Sequence, residues 1–350
     1  MIQRSVSLPI LVIFVGLCAI SSCTDRPEFE MTETSFPELS GEYLGQKPPG
    51  EIPGIFAPGI VNTGLYTRDM AMMPDGSEMY FCVTVGGYAF TALMATERIN
   101  GIWTEPHVVP FTSNPKYHDI EPAISPDGSK FYFVSDRPLE EGSEELRNED
   151  IWVADRKADG WGEPYNLGPP VNSDDSEFFP SVTADGTIYF TRGSTADRSN
   201  YIYRSRFVEG VYTEPERLGT EVNATRSQYN AFISPDESYI IVCMAGLPES
   251  VGGIDYYISF RDENDVWTGP INLGSVVNTE GSQEFSPYVS PDGKYFFFMS
   301  TRIDTTLELV NSPLSFDSMK QMHMTPGCAN TSIYWMNASF IDDLRPENGE

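Results

Sequence analysis

Positive charge is what this chain lacks most. Its 350 residues hold 22 Lys and Arg against 51 Asp and Glu, a formal net charge of −29. So acidic a surface repels phosphate backbones and anionic headgroups, which argues against nucleic acid and anionic lipid as partners. It admits cationic ligands, calcium or neutral glycans, and it also serves plain solubility in an exposed compartment. Histidine is scarce, with 3 residues, and so is cysteine, with 5. No Gly-rich phosphate loop, His-Glu-x-x-His, Cys-x-x-Cys or Gly-x-Ser-x-Gly occurs, so nucleotide, zinc and serine-hydrolase chemistry have no motif behind them. Ser-x-Asp-x-Gly-x-Thr-Trp boxes are missing too. Beyond residue 22 no apolar run is long enough to span a bilayer.

The N-terminus holds the longest apolar run. Arg4 precedes Leu8 to Ile20, a stretch suited to a signal-peptide core and short for a membrane span. It ends in Ile20-Ser21-Ser22-Cys23, which resembles a bacterial lipobox; the resemblance implies cleavage after residue 22 and a lipid on Cys23. An ordinary cleaved signal with an incidental cysteine is the other reading. Residues 23–50, polar and broken by Pro27, Pro37, Pro48 and Pro49, read as a flexible tether, and residues 51–350 as one domain. These readings place the protein outside the cytoplasm, held to the cell envelope through the lipid alone.

With 40% hydrophobic and 13% aromatic residues the chain can build a real core. Its 29 glycines and 27 prolines are scattered, as in a fold of many short strands and tight turns. One pattern organises the domain. Glu121 to Arg137 reads as a short strand, the turn Pro126-Asp127-Gly128 and an aromatic strand, Phe131-Tyr132-Phe133. The turn recurs as Pro74-Asp75-Gly76, Ala184-Asp185-Gly186, Pro235-Asp236-Glu237 and Pro291-Asp292-Gly293, where Glu237 in place of Gly predicts a different turn type. A third strand follows each, as at Ile151-Trp152-Val153, and a fourth is marked by Trp103-Thr104-Glu105-Pro106 and its copies. Five units of four antiparallel strands predict an all-β fold, a five-bladed β-propeller. The fifth unit lacks its fourth strand, and the segment after Glu51 is expected to supply it and close the ring. Cys82 and Cys243 fall at one strand position of non-adjacent blades, too far apart to bond.

The recurring Glu-Pro-x-x-Ser-Pro-Asp-Gly, aromatic strand, Ser-x-Arg and Asp-Ile-Tyr/Trp resemble the WD40-like repeat of TolB-type propellers over residues 51–345. The resemblance implies the scaffold; the separate α/β domain of TolB has no counterpart here. In a propeller the Pro-Asp-Gly turns lie on one face, and the loops before first strands and after second strands lie on the other. That second face collects the candidates. Carboxylates stand at starts of first strands, Asp69, Glu121, Glu177 and Glu284, with Tyr229 in the fourth copy, and Arg137, Arg192 and Arg302 follow second strands. One reading is a polar mouth for a sugar, a calcium ion or a carboxylated ligand, with carboxylates as acid and base and arginines as clamps. The other is an Arg–carboxylate brace repeated by fold symmetry. Tyr117-His118-Asp119 breaks the symmetry, which adds His118 and Asp119 as ligand contacts. The acidic stretch Leu139 to Asp150 lacks an ordered calcium-loop spacing. The insertion Ile303 to Ser332, with Met319, Met322, His323 and Met324, is a candidate lid or docking surface.

No cofactor and no single catalytic residue emerge. The ligand set is His118, Asp119, Glu121, Arg137, Glu177, Arg192, Tyr229, Glu284 and Arg302. The leading expectation is a monomeric envelope lipoprotein that binds a glycan or another envelope protein. The alternative is a glycoside hydrolase or polysaccharide lyase working from the same mouth.

Overall fold

Each of the five tight turns owes its shape to an aspartate. The carboxylates of Asp75, Asp127, Asp185, Asp236 and Asp292 accept a hydrogen bond from the backbone N–H two residues on. The next residue then turns left-handed, at Gly76, Gly128, Gly186 and Gly293, and also at Glu237 with φ 58°. The fourth turn therefore keeps the common shape, contrary to expectation. Glu237 tolerates the conformation because Tyr189 donates to its carboxylate at 2.7 Å and Arg261 pairs with it at 2.8 Å.

The structure is a computed structural model that describes residues 35–346 except Glu141, Thr195, Asp197 and Ala329. The expected signal peptide, Cys23 and the start of the expected tether lie outside the described residues. The chain divides after Pro37; of the first unit, the described residues 35–37 form no regular element. The second unit is a five-bladed β-propeller. Its inner strands are Tyr66–Met72, Asp119–Ile124, Ser176–Val182, Gln228–Ile233 and Glu284–Val289. Each packs beside the next, and the fifth returns to the first. Outward from each runs an antiparallel ladder, such as Lys130–Ser135, Asp150–Lys157 and Tyr165–Asn166 in blade 2. The outermost strands are only two residues long and follow the Trp-x-x-Pro sequences rather than contain them.

Five apolar clusters, one between each pair of neighbouring blades, hold the ring. A repeated asparagine fixes the third strands. Asn62, Asn172, Asn223 and Asn278 each accept from and donate to the main chain of one residue, at Ile333, Ile151, Ile202 and Tyr256. Their side-chain amides thus stand in for a missing peptide group. Cys82 and Cys243 are free and buried in blades 1 and 4. Among the described residues no helix is long and apolar enough to cross a membrane.

The fifth blade is completed as expected, by Gly54–Ile55 pairing with Ser332–Asn337. The tether, however, ends earlier than residue 50. Leu39–Ser40 pairs with Ile102–Trp103, and Tyr43 and Leu44 are buried against blade 5, where Tyr43 meets Tyr295 edge-on at 4.9 Å. The apolar surface offered by Phe297 and Trp335 draws this segment in. Phe56 then stacks edge-on against both, at 5.1 and 5.2 Å. Ring closure is therefore a packing event as much as a hydrogen-bonding one. Phe56→Ala is expected to lower unfolding stability by about 3–5 kcal/mol, read from the urea midpoint at unchanged slope.

Candidate functional site

Every inner strand carries the same irregularity. Its pairing with the second strand skips a residue, and the extra residue takes a left-handed φ: Asp69 57°, Glu121 57°, Phe179 51°, Asn230 51° and Ser286 57°. A bulge of this kind bends the strand and re-aims the side chains around it. Three roles result, in fixed order. The residue two before the bulge residue, that is Thr67, Asp119, Glu177, Gln228 and Glu284, bonds within its own blade or the segment leading into it. The next, Arg68, Ile120, Phe178, Tyr229 and Phe285, lines a cavity on the face opposite the Asp turns. The bulge residues themselves meet near the axis.

There one buried arginine serves two carboxylates. Arg68 donates from Nε to Asp69 at 2.9 Å and from Nη2 to Glu121 at 2.6 Å. Ser286 joins the set by donating to Asp69, and Asn230 donates to Ser286 at 3.4 Å. The blades are also stitched by main chain: the Glu121 N–H donates to Asp69 at 3.1 Å and the Phe179 N–H donates to Glu121 at 2.7 Å. One cation between two buried anions leaves a negative charge over. Burial, reinforced by Asp69 and Glu149, raises the Glu121 carboxyl above the ordinary carboxylate range, against the pull of Arg68.

Above this network opens a cavity of about 440 Å³. Aromatic rings make much of its wall. Tyr66 and Tyr88 meet edge-on at 5.3 Å, and Tyr229 and Phe285 stack at 5.7 Å, with Phe178 between blades. Its polar groups are Arg68, His118, Glu121, Glu149, Asn200, Asn230 and Gln283 together with Thr91. Tyr88 donates nothing to Arg68 but accepts from it at 3.0 Å. Burial raises the Glu149 carboxyl too, opposed by Arg68 and His118 and aided by Asp136. His118 is half-exposed, with Nδ1 3.8 Å from Asp136.

The expected ligand set therefore divides. His118, Glu121 and Tyr229 line the cavity. The others form braces inside single blades. Arg137 pairs with Asp119 at 2.6 Å, Arg192 pairs with Glu177 at 2.7 Å, and Arg302 lies 4.0 Å from Glu284. Each guanidinium also donates to a carbonyl, of Phe111, Val171 and Val277, and lies over aromatic rings of its own blade. Treating Glu177 and Glu284 as equivalents of Glu121 misplaces them by two residues, because Phe179 and Ser286 occupy its place. Tyr66, Arg68, Tyr88, Glu149, Phe178 and Phe285 are cavity residues outside the expected set. Prolines mark the frame: Pro122, Pro180 and Pro287 directly follow the bulge residue, as suits a position outside the ladder.

The long insertion folds into two short helices, α1 (Glu308–Asn311) and α2 (Phe316–Met324), the second started by a Ser315–Ser318 capping box. It is anchored where Asn330 donates to the Gly64 carbonyl at 2.9 Å, and a side chain on Gly64 would collide with the Met324 backbone. None of its described residues lines the cavity. Met319 and Met324 are exposed rather than packed down. Among the described residues no group of three or more metal-ligating side chains is gathered, in the acidic stretch or elsewhere.

No family model and no curated protein matches the chain at the level of sequence. Solved structures do. A glycoside hydrolase is 10% identical, with a TM-score of 0.49 over 88% of this chain and 95% of that one. The catalytic domain of the GH62 α-L-arabinofuranosidase of Coprinopsis cinerea is 9% identical, with a TM-score of 0.46 over 84% and 99%. The GH43 endo-arabinanase of Bacillus licheniformis is 12% identical, with a TM-score of 0.43 over 77% and 93%. At such values a likeness carries nothing about activity.

The raised Glu121 carboxyl has a consequence for stability. The folded state holds its proton to higher pH than the unfolded chain does, so its contribution is full below about pH 4.5 and is lost as pH rises through the folded value. In Glu121→Gln the fall of stability with pH above about 5 is expected to flatten, measured as urea midpoints across that range.

Proposed function

We propose that the chain is a carbohydrate-active enzyme that hydrolyses a glycosidic bond at the channel mouth. One observation carries this reading: a single cavity brings flat aromatic walls together with two carboxyl groups whose protons are held above the usual range. Aromatic rings accept the C–H faces of sugar rings, and Asn200, Asn230 and Gln283 offer amides to hydroxyls. Hydrolysis needs one carboxylic acid to protonate the departing oxygen and one carboxylate to take a proton from water. Two interacting carboxyls divide these states between them.

Glu149 is the base in this proposal. Its side chain makes no hydrogen bond to the described residues and reaches the cavity, so its oxygens are free to take a proton from water. Glu121 is the acid. Burial beside Asp69 raises its carboxyl to about 8, against the contacts from Arg68 and the Phe179 N–H that fix its direction, so it holds a proton for the glycosidic oxygen as the C–O bond breaks. Water adds to the anomeric carbon while its proton passes to Glu149, and solvent restores both groups. Arg68 is a positioning residue.

The same reading sets the enzyme on the cell envelope as a monomer, anchored by a lipid on Cys23. Arg4, the apolar run and Ile20-Ser21-Ser22-Cys23 support the anchor, and the TolB-type character of the repeats supports the setting.

The test is a panel of neutral, amino-bearing and acidic glycans, followed for new reducing ends and for thermal shifts. Product is expected, and Glu149→Gln is expected to lower kcat by about 10²–10⁴-fold while still binding glycan. Thermal shifts without product from any glycan would make the protein a binding module and end the enzymatic reading.

A further inference from the structure

We infer that the sugar held at this mouth carries one positive charge, as a free amino sugar does; this rests on reading the mouth as a glycan site. The first argument is a charge balance. Among the described residues that line the cavity, Arg68 is the one permanently cationic side chain, and it is committed to Asp69 and Glu121. Glu149 adds a third carboxyl beside this network, and Asp136 stands behind His118. With Glu121 protonated and Arg68 paired to Asp69, the Glu149 carboxylate still lacks a partner among the described residues that line the cavity. A bound ammonium group supplies it.

The second argument concerns what the mouth cannot offer. Arg137, Arg192 and Arg302 would be the natural clamp for a uronate carboxylate, yet all three are turned into their own blades and hold carbonyls and carboxylates there. An acidic sugar would meet Glu149 and Glu121 with only Arg68, already committed to Asp69 and Glu121, and the half-exposed His118 to offset the repulsion. The third is the wall. Phe178, Tyr229 and Phe285 present ring faces or edges to the cavity, and a ring face attracts a cation most strongly where water is excluded. Aromatic surface with an unpaired carboxylate is the chemistry that selects an amine over a hydroxyl.

The experiment is calorimetric titration of the full chain with β-1,4 tetramers of glucosamine, N-acetylglucosamine and glucose and the α-1,4 tetramer of galacturonate at about 0.15 M salt, where long-range attraction to the acidic surface is screened. The glucosamine tetramer is expected to bind at least about tenfold more tightly than the N-acetylated one, and the galacturonate tetramer not to bind. Glu149→Gln and Phe178→Leu, each checked for unchanged melting, are expected to abolish the preference. Equal affinity for charged and neutral tetramers, tighter binding of galacturonate, or a preference that survives both substitutions would overturn the inference. So would no binding by any tetramer or by butylammonium. Binding of butylammonium in a Glu149-dependent way, with no tetramer bound, would support the cation site while removing the glycan reading. Cleavage and charge preference are read separately, so either can fail alone.

Discussion

Five strands that converge on one axis crowd each other, and the left-handed bulge near the middle of each inner strand is how this chain accommodates them. The extra residue breaks the ladder for one step and frees an N–H. At Glu121 and Phe179 that N–H is taken by the carboxylate of the preceding blade, Asp69 and Glu121 respectively. The bulge thus both ends regular pairing and begins the contact between blades. A non-glycine residue in this conformation costs free energy, on the order of 1–3 kcal/mol at each position. The five interblade clusters of apolar side chains are large enough to hold it in place.

Burying Arg68 with Asp69 and Glu121 adds a further cost. Charges taken out of water are compensated only when geometry is close and the remaining lone pairs are filled. Here the two carboxylates accept from Arg68, Ser286 and two backbone N–H groups, which is near the most that the space allows. The braces at Arg137 and Arg192 follow the same logic inside a blade. What separates the two cases is the count of charges: one for one in a brace, one for two at the axis. The brace pairs one charge with one, although Asp119 Oδ2 is buried without a hydrogen-bond partner among the described residues. The axial set has one carboxyl more than Arg68 can pair, so Glu121 holds its proton, and the set opens onto a cavity.

Much of the scaffold was legible in the residues. Repeated Asp turns, aromatic second strands and a missing outer strand at the C-terminus led to five blades closed by the N-terminal segment. The site was less so. Glu121, Glu177 and Glu284 look alike because each stands near the start of a first strand, yet a single inserted residue decides whether a side chain faces its blade, the cavity or the axis. Aligning on Pro122, Pro180 and Pro287 would have separated them; aligning on acidic character did not. Glu149 was hidden differently, inside a run of acidic residues where only the fold distinguishes the one that reaches the mouth. Tyr43 and Leu44 were read as tether because proline-rich flanks outweighed two apolar residues, while the waiting surface of Phe297 and Trp335 is a tertiary fact.

The bulge also makes the two ends of the axis unlike. Residues before it point to the upper mouth, whereas those after it, Met70, Pro122, Pro180 and Pro287, line an opening of about 280 Å³ at the other end. Proline has no N–H to give, and the turn prolines Pro74, Pro126, Pro235 and Pro291 ring the same opening. The lower end is therefore poor in donors and rich in apolar surface. A polar ligand such as a sugar, which must recover its hydrogen bonds with water to bind at all, would meet hydroxyls below but charged and amide groups only in the upper cavity of the two. The polarity of the axis follows from where the extra residue sits in five strands, and it gathers the charged groups on the face that holds Arg68, Glu121 and Glu149.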